Sequence, residues 1–240
     1  MQSEDLLILK NLRVGYDGES VLMGCNLKLE KREVCCVIGE EGSGKSTLLK
    51  SITQQLPTSG SILYHGIDLS RVSTANLTKR GIDFVSQGGN ILESFTVEEH
   101  INLSLRRTCR ASRSSTWHQI ENAFPSLCKL RKQVAGRLSG GERMILSIAC
   151  LLATDADLLL LDEPTAGLAP ETCVSIKHFL FRMKNELGKT MLLFEHNYDF
   201  AFEVADSVVT LKEGRLSEKY MPHVFQRTGF IETNLYSMNP

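Results

Sequence analysis

The sequence predicts an α/β fold in which a mostly parallel sheet is covered by helices. Three observations predict it. Short, wholly apolar runs recur between helical segments: Val34-Cys35-Cys36-Val37-Ile38, Leu158-Leu159-Leu160-Leu161 and Met191-Leu192-Leu193-Phe194. Such runs mark strands buried on both faces. A glycine-rich turn, Gly39 to Gly44, separates the first run from a segment with Leu48, Leu49 and Ile52 at helical spacing. Finally, 240 residues at 42 % hydrophobic content suffice for one large domain with an inserted lobe.

The elements follow in order. Leu6 to Leu9 and the segment Ser61 to Tyr64 read as strands of an N-terminal antiparallel β portion, with Pro57-Thr58-Ser59-Gly60 as the turn before the second. Ile82 to Val85 is a further strand. Thr96-Val97-Glu98-Glu99 has the T-x-x-E form of a capping box, so a helix carrying Ile101, Leu103 and Leu105 is expected to start there. Arg106 to Ser115 is polar and basic and reads as a solvated loop. A second helix over Trp117 to Phe124 is expected to stop before Pro125.

A third helix over Gly141 to Ala153 leads into the Leu158 strand. Pro170 suits the first turn of the next helix, and Gly188 its end. The strand Met191 to Phe194, a helix over Phe200 to Val204 and the strand Ser207 to Leu211 complete the alternation. The domain is thus expected to span 1–240, with a helical lobe over about 89–155 and a C-terminal tail over 217–240. Tyr220, Phe225, Phe230 and Tyr236 in that tail could pack onto the domain, onto a second copy or onto a membrane partner, a short packed terminal segment being the expectation.

Lys+Arg 27 against Asp+Glu 28 gives a net charge of -1, which argues against a dedicated nucleic-acid binder. The seven cysteines form no CxxC pair, and Cys35 and Cys36 sit in an apolar run as small hydrophobes. That usage fits a reducing compartment. The start, Met1-Gln2-Ser3-Glu4-Asp5, lacks the layout of a signal peptide. The longest nearly apolar stretch, Met144 to Ala153, is too short to cross a bilayer.

The chemistry begins at Gly39-Glu40-Glu41-Gly42-Ser43-Gly44-Lys45-Ser46, which satisfies G-x-x-x-x-G-K-[ST] between a strand and a helix. Glycines there let backbone N–H groups converge on phosphate oxygens, and the helix N-terminus adds a favourable dipole. With Thr47, these residues form the candidate nucleotide cradle. Lys45 is expected to reach the β and γ phosphates and Ser46 to offer a hydroxyl to Mg²⁺. Glu40 and Glu41 are mildly adverse beside phosphates unless they face solvent. Asp162 and Glu163 end the leucine strand, at the end where open α/β sheets bind ligands. Asp162 is placed to hold Mg²⁺, and Glu163 to orient and activate a water. Leu138-Ser139-Gly140-Gly141-Glu142 is a capping box, and a helix start also offers unpaired N–H groups to a phosphate.

Taken with the phosphate loop and the Leu-rich strand ending Asp162-Glu163, the Ser139-Gly140-Gly141 segment resembles the signature of the ABC ATPases. The resemblance covers about Leu6 to Leu216 and implies a P-loop nucleoside triphosphatase fold. It implies that Gln87, after the strand ending Val85-Ser86, senses Mg²⁺ and contacts a membrane subunit. His196, after Met191 to Glu195, matches the histidine that contacts the γ-phosphate. Tyr16 resembles the aromatic residue that stacks on adenine, although Gly15-Tyr16-Asp17-Gly18 equally fits a plain turn. Ser139, Gly140 and Gly141 would serve a nucleotide held by the partner chain of a head-to-tail dimer.

Ala166-Gly167-Leu168-Ala169-Pro170, the stretch from Glu195-His196-Asn197 to Ala205-Asp206, and Arg131 to Gly136 look like ATPase subunits of bacterial branched-chain amino-acid importers. Urea-type importers share these features. Two departures from the general pattern stand out: Ala169 where most members have aspartate, and Glu41 where asparagine is usual. The resemblance therefore implies ATP and Mg²⁺ as ligands, and integral membrane subunits and a second ATPase subunit as partners. A solute-binding protein would join the full system, on the cytoplasmic face of a cell membrane. A soluble non-transport ABC ATPase or an exporter subunit are the alternatives. A second ATPase domain or a long coiled coil would mark the soluble kinds, and neither pattern occurs. No N-K-x-D segment points to guanine.

Overall fold

The computed structural model describes residues 4–16, 19–106 and 113–223, leaving out the side chains of Tyr16, Glu19 and Arg113. In chain order the first elements are β1 (Asp5–Tyr16), β2 (Glu19–Glu30), β3 (Val34–Ile38), α1 (Lys45–Ile52), β4 (Ser59–Tyr64), β5 (Ile67–Asp68), α2 (Thr74–Leu77) and β6 (Ile82–Val85). Then come α3 (Val97–Leu105), α4 (Arg113–Ala123), α5 (Pro125–Lys129), α6 (Gly140–Leu151), β7 (Leu158–Asp162) and α7 (Pro170–Asn185). The chain closes with β8 (Thr190–Glu195), α8 (Tyr198–Val204), β9 (Ser207–Lys212) and β10 (Arg215–Leu216). Two compact units result: Met1–Thr74 with Thr190–Pro240, and Ala75–Lys189.

The first unit holds an antiparallel sheet in the order β2-β1-β4-β5. Period-two patterning explains it: Leu7, Leu9, Leu12 and Val14 of β1 and Cys25, Leu27 and Leu29 of β2 are buried. Lys10, Arg13, Asn26 and Lys28 point outward. The register slips between Leu9 and Leu12, where Asn11 takes φ 48. Gly24 faces this bulge at φ 91, and a Cβ there would lie 2.8 Å from Asn11 Oδ1. Alternation along the chain does not predict β2, because the shift in register at the bulge interrupts it.

The same unit carries the parallel strands β9, β3 and β8, with β10 antiparallel on β9. Every residue of β3 and β8 is buried, as their unbroken apolar runs require. Ile38 pairs with Glu195 and with Thr210, so the C-terminal ends of three strands lie side by side. α1 packs on β8 and α8 on β3. Glu213 and Gly214, both with positive φ, form the two-residue turn between β9 and β10. The tail then returns: Tyr220 and Val208 exchange backbone hydrogen bonds at 2.7 and 2.9 Å, and Lys219 Nζ lies 2.7 Å from Glu33 Oε1. Tyr220 thus lies against β9, whereas Phe225, Phe230 and Tyr236 lie outside the described residues.

In the second unit β6 pairs parallel with β7, Ile82 opposite Leu158 and Val85 opposite Leu161. α3 and α5 pack on α6, and α4 on α5 and α7. Phe124 and Phe179 meet in this core at 5.2 Å between ring centroids. The helices differ from expectation in two places. α4 begins earlier, at Arg113, and stops before Pro125 as expected, with Pro125 opening α5 in keeping with its fixed φ at a first helical position. In α3 the buried residues are Val97, His100, Ile101 and Ser104, while Leu103 is 42 % exposed. Leu103, two residues beyond Ile101, cannot share its helical face, whereas Leu105, four residues on, falls on that face and is half-buried.

Candidate functional site

β3 delivers the glycine loop at the end where β3, β8 and β9 finish together. The loop is tightly cut. A Cβ on Gly39 would stand 2.5 Å from Ser43 Oγ and 2.6 Å from the Leu211 carbonyl oxygen. Gly44 caps α1 at φ 106, a conformation that only glycine adopts without strain. Lys45 is 5 % exposed, and its ammonium donates to the carbonyls of Gly39 (2.7 Å) and Glu40 (2.9 Å). Ser46 and Thr47 sit half-buried in the first turn of α1, while Glu40 and Glu41 face solvent, the arrangement that spares phosphates their charge. Gly42 at φ 81 has open space beside it. His196 follows β8 and is exposed; Asn197 behind it caps α8 by accepting from Phe200 N–H at 3.1 Å. Tyr16 ends β1, and its side chain lies outside the described residues.

The second unit brings together Gln87 and Glu163. Parallel register sets the ends of β6 and β7 side by side, so the residues that follow each strand meet. Gln87 Nε2 donates to Glu163 Oε2 at 2.8 Å across 76 residues of sequence. Asp162 is 4 % exposed at the end of β7. Glu163 itself has φ 47, a left-handed backbone uncommon for a residue with a Cβ and found where function holds strain. Ser139 caps α6: its Oγ accepts from Glu142 N–H at 3.3 Å, and Glu142 Oε2 accepts from Ser139 N–H at 2.8 Å. Gly140 has open space at its Cβ position, so the helix start presents bare backbone. Ala169 stands at the N-cap of α7 with no side-chain bond, leaving that cap without a carboxylate.

The family described as ABC transporter matches residues 22–166, more than half of the chain. The chain belongs to that family. This ABC ATP-binding subunit is 34 % identical, over 207 residues, to the probable branched-chain amino acid transport ATP-binding protein LivF of Archaeoglobus fulgidus; the match covers 86 % of this chain and 88 % of LivF. It is also 34 % identical to the methionine import ATP-binding protein MetN of Haemophilus influenzae, over 83 % of this chain and 59 % of MetN. A solved ATP-binding subunit of an ABC transporter matches with a TM-score of 0.81 at 25 % identity, covering 93 % of each chain. The predicted fold, with its antiparallel β portion and parallel strands, is the one these relatives share.

Taken unit by unit, Ser46 of the first offers a hydroxyl and Gln87 and Asp162 of the second an amide oxygen and a carboxylate, each a hard oxygen donor of the kind that suits Mg²⁺. Among the described residues no helix is long and apolar enough to cross a membrane. Three residues outside the candidate set hold the segment that follows Gln87: Asn90 and Ser147, which the sequence does not single out, and His100, to which it assigns no role. One signal for Ser147 was available, a hydroxyl inside the otherwise apolar run of α6.

Proposed function

We propose that the chain is the ATP-hydrolysing subunit that powers a membrane transporter, an importer of branched-chain amino acids or similar small polar solutes. The observation that carries the hydrolytic reading is the Gln87–Glu163 hydrogen bond at the end of a fully buried strand. In this reading the Gly39–Gly44 loop wraps the phosphates with backbone N–H groups, and Lys45 gives up its carbonyl partners for phosphate oxygens. Glu163 takes the proton of the attacking water, and Gln87 holds that carboxylate in line. His196 donates to the γ-phosphate. Mg²⁺ bound by Ser46, Gln87 and Asp162 would neutralise developing charge on the phosphates. Tyr16 stacks on the adenine.

Ser139, Gly140 and Gly141 serve the nucleotide of a partner ATPase subunit, so ATP holds the dimer closed and hydrolysis releases it. Membrane subunits dock near Gln87, and a solute-binding protein supplies cargo. LivF supports the substrate class because that match runs nearly the whole length of both chains, whereas MetN is matched over little more than half of its own.

Glu163→Gln tests the hydrolytic reading. The variant should lose turnover by about a hundredfold or more and form a dimer only with ATP, read by size-exclusion chromatography. Retained turnover without that dimer overturns it. Purification from the native membrane should bring down an integral membrane subunit, and soluble factors alone would sink the transport reading.

A further inference from the structure

The loop that carries Gln87 is braced by side chains outside the catalytic set. Asn90 closes it from within: its Nδ2 donates to the Phe84 carbonyl at 2.7 Å and its Oδ1 accepts from Ser86 N–H at 3.3 Å. The N–H of Asn90 donates to Ser147 Oγ at 3.1 Å, while the Ser147 hydroxyl donates to the Arg143 carbonyl at 3.0 Å. Farther along, Leu92 N–H donates to His100 Nε2 at 2.9 Å, and His100 Nδ1 lies 2.9 Å from the Thr96 carbonyl. The Leu92 bond requires a bare Nε2, so Nδ1 carries the proton and donates to Thr96. Ser147 and His100 are each 4 % exposed.

Gly89 shows how closely the loop runs over Ser147. At φ 85 its backbone passes so near that a Cβ would stand 2.4 Å from Ser147 Oγ. A glycine there lets the loop lie on α6 with nothing between them.

We propose that Ser147 is a positioning residue for the reaction: its hydroxyl ties the Gln87 loop to the helix capped by Ser139 and thereby sets Gln87 against Glu163. The proposal rests on the reading that Gln87 and Glu163 serve ATP hydrolysis. Ser147 lies about two helical turns beyond Ser139 on one rigid element, so a displacement of the helix start is carried into the loop. Small misplacements of catalytic groups are expensive, up to about a hundredfold for an ångström.

A double-mutant cycle on the full-length chain decides it, with steady-state ATP hydrolysis and melting temperature measured for Ser147→Ala, Gln87→Ala and the double variant. Ser147→Ala should lower kcat about five- to twentyfold while KM for ATP changes less than about twofold. In the Gln87→Ala background the same substitution should change kcat less than about twofold, because its effect passes through Gln87. Equal losses in both backgrounds, or an unchanged kcat for Ser147→Ala, overturn the proposal alone. An unchanged kcat for Gln87→Ala sinks the reading of Gln87 and the proposal with it. If Ser147→Ala does not fold, Asn90→Ala loosens the same loop and takes its place, with the same expectations.

Discussion

Lys45 carries a charge at 5 % exposure, and a buried ammonium is tolerated where carbonyl oxygens surround it. Gly39 and Glu40 supply those oxygens from the loop itself, so the lysine shapes its own cradle. Lys45→Ala should weaken ATP binding about a hundredfold, read by equilibrium titration with a fluorescent nucleotide. Gly39→Ala should act through shape instead. Its methyl meets the Leu211 carbonyl at 2.6 Å, a backbone atom that cannot swing away. The variant should melt lower and bind ATP poorly even though every polar group remains. Glu40 and Glu41 were readable as a local oddity, but only the fold turns them to solvent. Conversely, the hydroxyl of Ser147 carries meaning only through Asn90, a partner 57 residues away.

Two helices of the second unit start with the same device and use it differently. α3 opens on Thr96–Glu99 and α6 on Ser139–Glu142, both complete capping boxes. Hydrogen bonds from the Thr96 backbone and hydroxyl hold the Glu99 carboxyl below its ordinary value of 4.5. A carboxyl depressed in the folded state contributes stability above its unfolded value and loses it as pH falls through the folded one. Thr96→Ala should therefore lower the melting temperature by roughly 2–4 °C at neutral pH, with turnover unchanged. The gap should narrow as pH falls below 4.5. Ser139→Ala should destabilise α6 to a similar degree and, in addition, abolish ATP-dependent dimerisation, read by the same chromatography. Both boxes were legible in the sequence because capping is local, spanning four residues. The inward face of α3 was not, since packing against α6 selects His100 and Ser104 over Leu103.

Each unit is organised around strands buried on both faces, and this governs its thiols as well as its stability. Burial pushes the Cys35 thiol up to about 12 and Cys36 well above its ordinary value, while Cys25 is raised as well. Alkylation of the folded protein near pH 8 should label Cys128, Cys150 and Cys173, which are partly exposed, and spare Cys25, Cys35 and Cys36. Mass spectrometry reads the pattern, and early labelling of Cys36 would contradict the buried strand. In the second unit Phe179→Ala should cost about 3–5 kcal/mol by denaturant titration, because Phe124 would be left facing a cavity.

Features that depend on neighbours along the chain are legible in the residues alone: the glycine loop between strand and helix, the two acids ending a leucine strand, the caps and the alternation of strands with helices. These follow from backbone conformation and periodicity, which act over a few residues. Which strand ends meet is set by the three-dimensional pairing. The parallel register of β6 on β7 sets Gln87 against Glu163, and pairing with β1 across a bulge makes β2 a strand. The path of the loop over Gly89 gives Ser147 a partner. Such contacts arise from hydrogen-bond pairing and close packing between distant segments, and no local pattern encodes the partner.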